Sequence, residues 1–470
     1  MLNYTLTIDG RPVSTDSRFE VLNPADGSIV ASCPAATTDD VDAAVAAARR
    51  AFPAWSATTD AERTKKLKLV ADLIEKHHQE LSELVTREQG KTQSGPGANL
   101  EVGGAVAWTR VTADLALPRE TIQDDASGKI TVQRKPVGVV GSITPWNWPL
   151  MIAVWHIVPA LRVGCTVVIK PSPFTPLSTL RLVSLMNDVL PPGVVNVVTG
   201  GAEIGNHMSQ HPGIDKMVFT GSIDTGKKIM GAAARTLRRV TLELGGNDAG
   251  IVLPGTHVAP LIEKLFWGCF INAGQTCAAL KRLYVHEHQY EEFVGAFADY
   301  VSKIPVGNGL DAANLIGPLT NEAQRSKVAS MVDEARRLGA RIVTGGVMPE
   351  TPGYFYPLTV IADATDQMRV VCEEQFGPAI PILKYKTVEE AIQRANALPV
   401  GLGGSIWGDD TEAAAAYAAR LECGTAWVNQ HGTLHPLAPF GGVKSSGIGV
   451  EFNVDGLKEY TTIQVLNVAR

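Results

Sequence analysis

Three side chains that could act together on a carbonyl compound stand out in the sequence: Cys277, Glu243 and Asn147. Cys277 lies in FINAGQTCAALKRLYV, after a glycine-containing turn and just before a predicted strand. A thiolate is a strong nucleophile, and a turn leaves backbone N–H groups free to stabilise the oxyanion that its attack would create. Because the small polar run 274–276 is poor core material, the sequence predicts that Cys277 lies on a loop. The alternative is a buried, unreactive cysteine.

Glu243 and Asn147 are residue types that such a nucleophile needs. Glu243 ends the apolar run RVTLE and precedes two glycines, which predicts a carboxylate at the ligand edge of a sheet. A carboxylate there can take a proton from a thiol, from the water that hydrolyses a thioester, or from both. Asn147 follows a predicted strand in GSITPWNWPLMI, where two prolines and two tryptophans form a stiff corner. The alternatives are a solvated strand-end glutamate and an asparagine that serves as a turn residue or helix cap.

A weaker signal for phosphate binding follows another predicted strand. FTGSIDTG places Gly221, Ser222 and Gly226 between a strand and a helix, and a helix N-terminus attracts the negative charge of a pyrophosphate. The chain has no GxGxxG motif, and many turns of this kind bind nothing. Lys170 closes the run TVVIK and adds a cation at the same edge, unless it is only solvated there.

The elements needed to position these residues follow the pattern of a doubly wound α/β fold. From Val137 to Leu253, apolar β-branched runs alternate with helical stretches. Strands this apolar are typical of parallel sheets, which are buried on both faces. Right-handed crossovers bring the carboxyl ends of such strands to one edge, where ligands bind. The alternation resumes after Leu253 with KRLYVHE, RIVTGG, YFYPLTVI, GLGGSIW and GTAWVNQ, which predicts a second α/β lobe.

Other elements lie outside this alternation. Asp39 and Asp40 are expected to cap a helix through VDAAVAAARRAF, and Asp60 a second one through AERTKKLKLVADLIEKH. A polar strand at Gly128–Lys135 and the C-terminal KEYTTIQVLNV alternate polar with apolar residues. Exposed strand edges usually need a partner, so the sequence predicts an oligomer.

Composition excludes several classes of protein. The 470 residues, 45% hydrophobic and 19% charged, suit a globular protein with two large lobes. A net charge of −6 without long charged runs gives no basic face for nucleic acid. The cysteines at 33, 165, 269, 277, 372 and 423 lack CxxC spacing, so we expect no metal site and a reducing compartment. MLNYTLTIDGRPVS does not resemble a signal peptide, and the apolar stretch 148–163 is short and interrupted, which favours a cytoplasmic protein without a membrane partner.

Eight motifs together resemble those of the aldehyde dehydrogenase superfamily: PWNWPL, KPSP, FTGS, LELGGND, GQTC, EEQFGP, NALPVGLGGSIW and PFGGVKSSGIG. The likeness runs from about residue 8 to the C-terminus, and eight motifs in this order are far more specific than any one of them. The resemblance implies a dinucleotide-binding domain (1–117 and 137–245), a catalytic domain (246–443) and oligomerisation strands (118–136 and 458–470). It also implies a homodimer or homotetramer.

The resemblance implies a role for each candidate. Cys277 is the expected nucleophile and Glu243 the general base, and the Asn147 amide forms the oxyanion hole with the Cys277 backbone N–H. Lys170, grouped with these catalytic residues, is expected to hold the adenosine ribose, and Glu374 the nicotinamide ribose. The full set expected to bind the cofactor is Thr144, Pro145, Trp146, Asn147, Lys170, Ser172, Pro173, Gly201, Gly205, Phe219, Thr220, Gly221, Ser222, Thr225, Glu243, Leu244, Gly245, Cys277, Glu374 and Phe376.

The implied reaction is oxidation of an aldehyde to the acid through a thioester on Cys277, with hydride transfer to NAD(P). Many NAD-preferring members have a glutamate two residues after the KP pair, where this chain has Pro173. We therefore expect NAD as cofactor with NADP also accepted. Free cysteine has a pKa of roughly 8.5, so partial ionisation of Cys277 near neutral pH is expected.

The expected substrate pocket is mostly apolar, which predicts an uncharged aromatic or medium- to long-chain aliphatic aldehyde. Its expected lining is Met151, Trp155, Phe270, Ile271, Thr276, Ala278, His431, Leu437 and Phe440. Three alternatives stay open at this point: a CoA-acylating dehydrogenase, a thioester hydrolase without redox chemistry, and an inactive dehydrogenase fold that serves as a binding or structural protein. The presence of Glu243 favours hydrolysis to the free acid over transfer to CoA.

Overall fold

The computed structural model describes residues 4–470, which form two α/β lobes and a small antiparallel sheet. The strands are Leu6–Ile8 (β1), Arg11–Val13 (β2), Arg18–Leu22 (β3), Ile29–Pro34 (β4), Glu120–Asp125 (β5), Gly128–Pro136 (β6), Val139–Ile143 (β7), Thr166–Lys170 (β8), Val195–Val197 (β9), Lys216–Thr220 (β10), Arg239–Glu243 (β11), Asp248–Val252 (β12), Leu280–His286 (β13), Arg341–Thr344 (β14), Thr359–Ala362 (β15), Ala379–Tyr385 (β16), Val400–Gly401 (β17), Gly403–Trp407 (β18), Thr425–Val428 (β19), Val443–Lys444 (β20), Gly447–Ile448 (β21) and Thr461–Ala469 (β22). The helices are Thr38–Ser56 (α1), Asp60–Lys76 (α2), His78–Gln89 (α3), Ala98–Asp114 (α4), Pro149–Arg162 (α5), Leu177–Asn187 (α6), Ala202–Gln210 (α7), Ile223–Ala234 (α8), Ile262–Phe270 (α9), Tyr290–Ser302 (α10), Glu322–Arg337 (α11), Arg369–Cys372 (α12), Val388–Asn396 (α13), Thr411–Ala418 (α14) and Asn453–Glu459 (α15).

The first sheet is doubly wound, with the strand order β2-β1-β9-β8-β7-β10-β11-β21. Its five central strands, β9 to β11 in this order, are parallel and almost entirely buried, as their apolar sequences predict. The chain adds β8 and β9 on one side of β7 and then returns to place β10 on the other side. This change of direction leaves a crevice between β7 and β10 at their carboxyl ends, where ligands bind in open α/β sheets.

The second sheet has the order β14-β15-β16-β13-β12-β18-β19 and is parallel except for β14. The chain adds β13, β15 and β16 on one side of β12 and then returns to place β18 on the other side. Its large core includes three phenylalanines with neighbouring rings, at 270, 293 and 297. The predicted α/β class with two doubly wound sheets is confirmed.

The two segments predicted as oligomerisation strands pair with each other. β22 is antiparallel to β6 from Thr461 to Ala469, and β5 lies on the other side of β6. The C-terminal strand begins at Thr461 and not at Lys458, because residues 453–459 form α15. β21 joins the first sheet beside β11, so the chain returns to the first lobe after the second. The predicted domain boundaries stay a prediction, and residues 1–3 lie outside the described part of the chain.

The predicted caps of the first two helices are one residue or more out of place. Thr37 caps α1 and Thr59 caps α2, each accepting from the backbone N–H three residues later. Asp40 and Glu62 bond back to the caps and complete capping boxes, so acidic residues assist in the first turn but do not begin the helix. In the described residues 4–470, no helix has the length and apolar character that crossing a bilayer requires.

Candidate active site

The crevice between β7 and β10 opens into a cavity of about 200 Å³. It is lined by Pro145, Trp146, Asn147, Thr220, Gly221, Ser222, Glu243, Gly245, Cys277, Gln324, Lys327, Glu374 and Phe376. The nucleophile, base and amide donor expected from the sequence thus meet at one cavity, together with eight of the other expected cofactor residues. A larger groove of about 740 Å³ lies elsewhere, between residues 25–26, 301–308 and 344–358, and its lining contains no cysteine, histidine, lysine or glutamate.

Cys277 is on a loop, but the loop is more buried than the sequence predicts. Gly274 and Gln275 are buried, and the three residues Asn272, Ala273 and Gly274 all have left-handed backbone conformations. A side chain at position 274 would meet the carbonyl oxygen of Gly377 at 2.3 Å, so only glycine fits there. The polar residues of this loop are held inside the protein by hydrogen bonds instead of by solvent.

Asn147 is fixed against this loop from the other side of the cavity. Its Nδ2 donates to the carbonyl oxygen of Gln275 at 3.0 Å, and the Nε1 of Trp148 donates to the Thr276 hydroxyl at 3.0 Å. An amide nitrogen has two hydrogens, so Nδ2 keeps one for a ligand in the cavity. The corner predicted at residues 144–149 therefore holds a donor beside Cys277.

Cys277 and Glu243 lie close enough to shift each other's pKa. Burial raises the pKa of the Cys277 thiol well above its usual value, and the neighbouring Glu243 raises it further. Burial likewise raises the pKa of Glu243, with Glu451 as the next cause, while the contact with Cys277 lowers it. The raised pKa runs against the expected partial ionisation of Cys277 near neutral pH, because desolvation disfavours the thiolate. A neutral thiol needs a base, and the Glu243 carboxyl, whose Oε1 has no hydrogen-bond partner, is beside the half-buried Cys277.

Glu374 and Phe376 close the cavity on the side of the second lobe. The Glu374 carboxylate covers Gly245 and accepts from the Gly246 N–H at 3.3 Å, and the Phe376 ring meets Trp146 edge-on at 5.3 Å. Burial raises the pKa of Glu374. The positive charge of Lys281 and, to a smaller extent, that of Lys327 lower it again.

Two lining residues were missed by the sequence reasoning, Gln324 and Lys327. Both come from α11, where Gln324 Nε2 donates to the Gln375 and Phe376 carbonyls and Lys327 Nζ donates to the Glu374 carbonyl at 2.7 Å. They support the turn that carries the expected nicotinamide-side residues. Nothing in their local sequence distinguishes them from an ordinary exposed helix face.

Lys170 lies outside this cavity, at the end of the neighbouring strand. Its side chain is buried, Nζ donates to the Gly200 carbonyl at 2.9 Å, and burial lowers its pKa to about 8. Gly201 is the N-cap residue of α7, and Gly205 lies beside the Lys170 side chain, where a Cβ at position 205 would be 3.3 Å from Cε. Lys170 is therefore not simply solvated, and it borders the N-terminus of α7.

The remaining expected cofactor residues lie around these two strand ends. Ser222 caps α8 and accepts from the Thr225 N–H, which leaves an exposed helix N-terminus at the crevice. Ser172 is buried and Pro173 half-buried in the turn after β8. Phe219, Leu244 and Thr144 are buried beside the crevice and are absent from the cavity lining.

Behind Cys277, away from this cavity, lies an apolar cluster that brings together five of the nine expected substrate residues. Met151, Trp155, Ile271, Ala278 and Phe440 belong to it with Cys277, as do Trp108, Trp148, Ile152, Leu402, Trp427, Leu434 and Phe452. The side chain of Lys91 lies against it, with Nζ 3.4 Å from the centroid of the Trp148 ring. Thr276 borders the cluster through its hydrogen bond with Trp148.

Of the other three expected substrate residues, Phe270 and Leu437 lie apart from the cluster, and His431 borders it. Phe270 is in the core of the second lobe, stacked on Phe297, and Leu437 is half exposed on the surface. The His431 ring packs on Trp427, and its Nδ1 hydrogen-bonds Ser405 at 3.0 Å, which anchors it to β18.

Within residues 4–470, one cluster of side chains of the kinds that ligate metals occurs away from the cavity, at Asp42, His207 and His211. Both Nε2 atoms approach the same Asp42 oxygen, at 2.6 and 3.2 Å. The Nδ1 of His211 accepts from the Gly213 N–H at 2.9 Å, so its Nε2 carries the proton that faces Asp42. A protonated Nε2 cannot ligate a metal, and the geometry is that of a hydrogen-bonded cluster.

Comparison with known proteins gives the same family for the whole chain. The sequence profile of the aldehyde dehydrogenase family matches residues 12–466. Aldehyde dehydrogenase LUC3 of Fusarium sp is 38% identical over 96% of both chains. Human retinaldehyde dehydrogenase 3 is 38% identical over 96% of this chain and 90% of its own. The crystal structure of betaine aldehyde dehydrogenase from Staphylococcus aureus in complex with NAD+ matches with a TM-score of 0.96 and 36% identity, covering 99% of this chain and 95% of that one.

Proposed function

Because the chain belongs to the aldehyde dehydrogenase family, we propose that it oxidises an uncharged aromatic or medium- to long-chain aliphatic aldehyde to the carboxylic acid, with NAD as hydride acceptor. The chain is an NAD-dependent aldehyde dehydrogenase. What we propose is the class of aldehyde that it oxidises. The catalytic roles proposed for Cys277, Glu243 and Asn147 rest on one observation. All three line one cavity, beside an exposed helix N-terminus.

The residues present fit a nicotinamide dinucleotide. The crevice is at the switch point of a doubly wound sheet, the α8 N-terminus suits a pyrophosphate, and Glu374 and Lys170 suit the two riboses. When bound, NAD supplies a nicotinamide ring that accepts the hydride. Trp146 and Phe376 form the aromatic wall on that side of the cavity.

The chain's own residues carry the other steps. Glu243 accepts the thiol proton, and the Cys277 sulfur forms a bond with the aldehyde carbon. The free hydrogen of Asn147 Nδ2 and the Cys277 backbone N–H donate to the new oxyanion. Loss of hydride from that carbon leaves a thioester on Cys277. Glu243 releases the thiol proton to solvent and then takes a proton from water, and the hydroxide attacks the thioester. The acid leaves as the Cys277 thiolate departs and takes that proton back from Glu243.

The substrate proposal rests on the apolar cluster behind Cys277. It contains aromatic and aliphatic side chains, and the cation that lies against it, Lys91 on the Trp148 ring, is already paired with the carboxylate of Glu101. An anionic aldehyde such as succinate semialdehyde would lose hydration there without compensation, whereas an apolar chain or ring gains from burial.

The test is reduced-nicotinamide absorbance with a panel of aldehydes, in the absence of CoA. Benzaldehyde and a medium-chain alkanal should give higher kcat/KM than succinate semialdehyde or betaine aldehyde. Cys277→Ala should abolish turnover and keep NAD binding, while Cys423→Ala, a cysteine of another loop, should change neither. Turnover that requires CoA would identify an acylating enzyme instead, and unchanged turnover in Cys277→Ala would remove the mechanism.

We also propose that the chain forms a homodimer or homotetramer through β22. This strand is at the edge of its sheet and exposes four apolar side chains, Ile463, Val465, Leu466 and Val468. An open apolar edge of this kind is a site for pairing with a second copy. A cytoplasmic location stays a prediction, supported by the six cysteines, all of which are free in the described residues.

A further inference from the structure

Lys91 and Glu101 form an ion pair that has no access to solvent. Nζ and Oε2 are 2.5 Å apart, and the exposed fractions of the two side chains are 1% and 0%. Burying two charges costs more free energy than a well-packed apolar pair of the same size, so stability alone does not explain such a pair. Lys91 follows α3 and Glu101 is in the first turn of α4, outside the cavity described above.

Both partners make their remaining contacts with the catalytic corner. Lys91 Nζ donates to the Asn147 carbonyl at 2.8 Å and lies 3.4 Å from the centroid of the Trp148 ring. The second carboxylate oxygen of Glu101 accepts from the Leu150 N–H at 2.8 Å and the Met151 N–H at 3.2 Å.

Glu101 thereby caps a helix that lacks a cap of its own. α5 begins at Pro149, and the preceding Trp148 makes no side-chain capping bond. A carboxylate at a helix N-terminus satisfies free N–H groups and is favoured by the helix dipole. The pair therefore holds the corner from two sides, through the carbonyl of Asn147 and through the first turn of α5.

We propose that Lys91 and Glu101 are positioning residues that fix the oxyanion donor of Asn147. This inference rests on the proposed role of Asn147 in the reaction. The Asn147 backbone is held by Lys91, and its Nδ2 projects from that backbone towards Gln275 and the Cys277 loop. Displacement of a catalytic group by about 1 Å can cost on the order of 100-fold in rate, and the ion pair prevents such displacement.

The test uses the double variant Lys91→Met/Glu101→Leu, which removes both charges and leaves neither partner unpaired. We expect cooperative thermal unfolding and a KM for NAD within about twofold of wild type, with kcat lower by about 10- to 100-fold. The matched control is Lys216→Met/Glu459→Gln, a pair with a buried lysine at the amino end of β10, away from the cavity. The control should keep the wild-type kcat.

A double-mutant cycle with Asn147→Ala distinguishes a positioning role of the ion pair from a general loss of structure. If the pair acts through the Asn147 amide, its removal in the Asn147→Ala background should lower kcat by less than about twofold. The full 10- to 100-fold loss in that background would overturn the inference, as would wild-type kcat in the folded double variant. If Asn147→Ala itself kept wild-type kcat, the proposed function of Asn147 would fail, independently of the pair.

The single variant Glu101→Gln keeps the test decisive if the double variant does not fold. Its amide oxygen can still accept from Leu150 and Met151, so α5 stays capped, but the charge that holds Lys91 is lost. We expect a smaller loss of kcat with the same non-additivity towards Asn147→Ala. An additive loss would contradict positioning.

Discussion

The side-chain amide of Asn147 donates a hydrogen bond to the carbonyl oxygen of Gln275, 128 residues away in sequence, at 3.0 Å. This bond joins the corner after β7 to the loop of the nucleophile. The proposed oxyanion donor and the sulfur it serves therefore keep a fixed separation before any substrate is present, which is the preorganisation that makes such donors effective.

Asn147→Ala should lower kcat by roughly 100- to 1000-fold, about 3–4 kcal/mol of transition-state stabilisation, with little change in the KM for NAD. The substitution removes stabilisation mainly from the transition state, because the oxygen of the aldehyde carries the most negative charge there. Steady-state kinetics with a saturating aldehyde provide the measurement. A change confined to the KM for NAD would assign Asn147 to cofactor binding instead.

Glu243→Gln should give one burst of reduced nicotinamide per active site and then stop at the thioester. Without Glu243 the thiol proton must go to solvent. Loss of a charge that raises the pKa of Cys277 makes this possible at alkaline pH, so the first half-reaction proceeds there. Stopped-flow absorbance and mass spectrometry of the acylated chain measure the two stages. Absence of a burst at any pH would show that Glu243 is indispensable as the base for the thiol.

Glu451→Gln should move the acidic limb of the pH–rate profile to lower pH. After burial, the charge of Glu451 is the largest cause that raises the pKa of Glu243, followed by smaller contributions from Glu374 and Asp248. A general base works deprotonated, so a lower pKa extends activity towards acid. The control is Glu459→Gln, a carboxylate that is not among those causes. A limb that stays in place or moves to higher pH would contradict the electrostatic coupling.

Pro173→Glu should raise the NAD/NADP ratio of kcat/KM, because a carboxylate near the adenosine ribose repels a 2′-phosphate. Phe174→Glu is the matched control, since this side chain is the exposed neighbour in the same turn. Initial rates with both cofactors measure the ratio. If both variants gave the wild-type ratio, position 173 would not contact the ribose.

Val465→Lys should shift the mass measured by light scattering towards the monomer, because it puts a charge into the apolar edge formed by β22. Val347→Lys changes an exposed valine in a distant loop and should keep the wild-type mass. Retention of the wild-type assembly by the β22 variant would show that the chains associate elsewhere.

The residues that the sequence located well are those at the ends of predicted parallel strands. Glu243 ends β11 and Asn147 follows β7, so topology alone brings both to the edge where ligands bind. Gln324 and Lys327 could not be found in this way, because a helix face of the second lobe reaches the cavity only through tertiary packing. The raised pKa of Cys277 was missed for the same reason, since desolvation depends on neighbours distant in sequence.

Gly274 packs directly against the carbonyl of Gly377, with no room for even one methyl group between the two chain segments. Gly377 follows the turn of Glu374 and Phe376, and Gly274 is three residues before the sulfur. A side chain at position 274 therefore cannot be accommodated unless the two segments move apart. An alanine at position 274 would push the Gly377 turn away, and it would thereby move the wall of the cavity that carries Glu374 and Phe376.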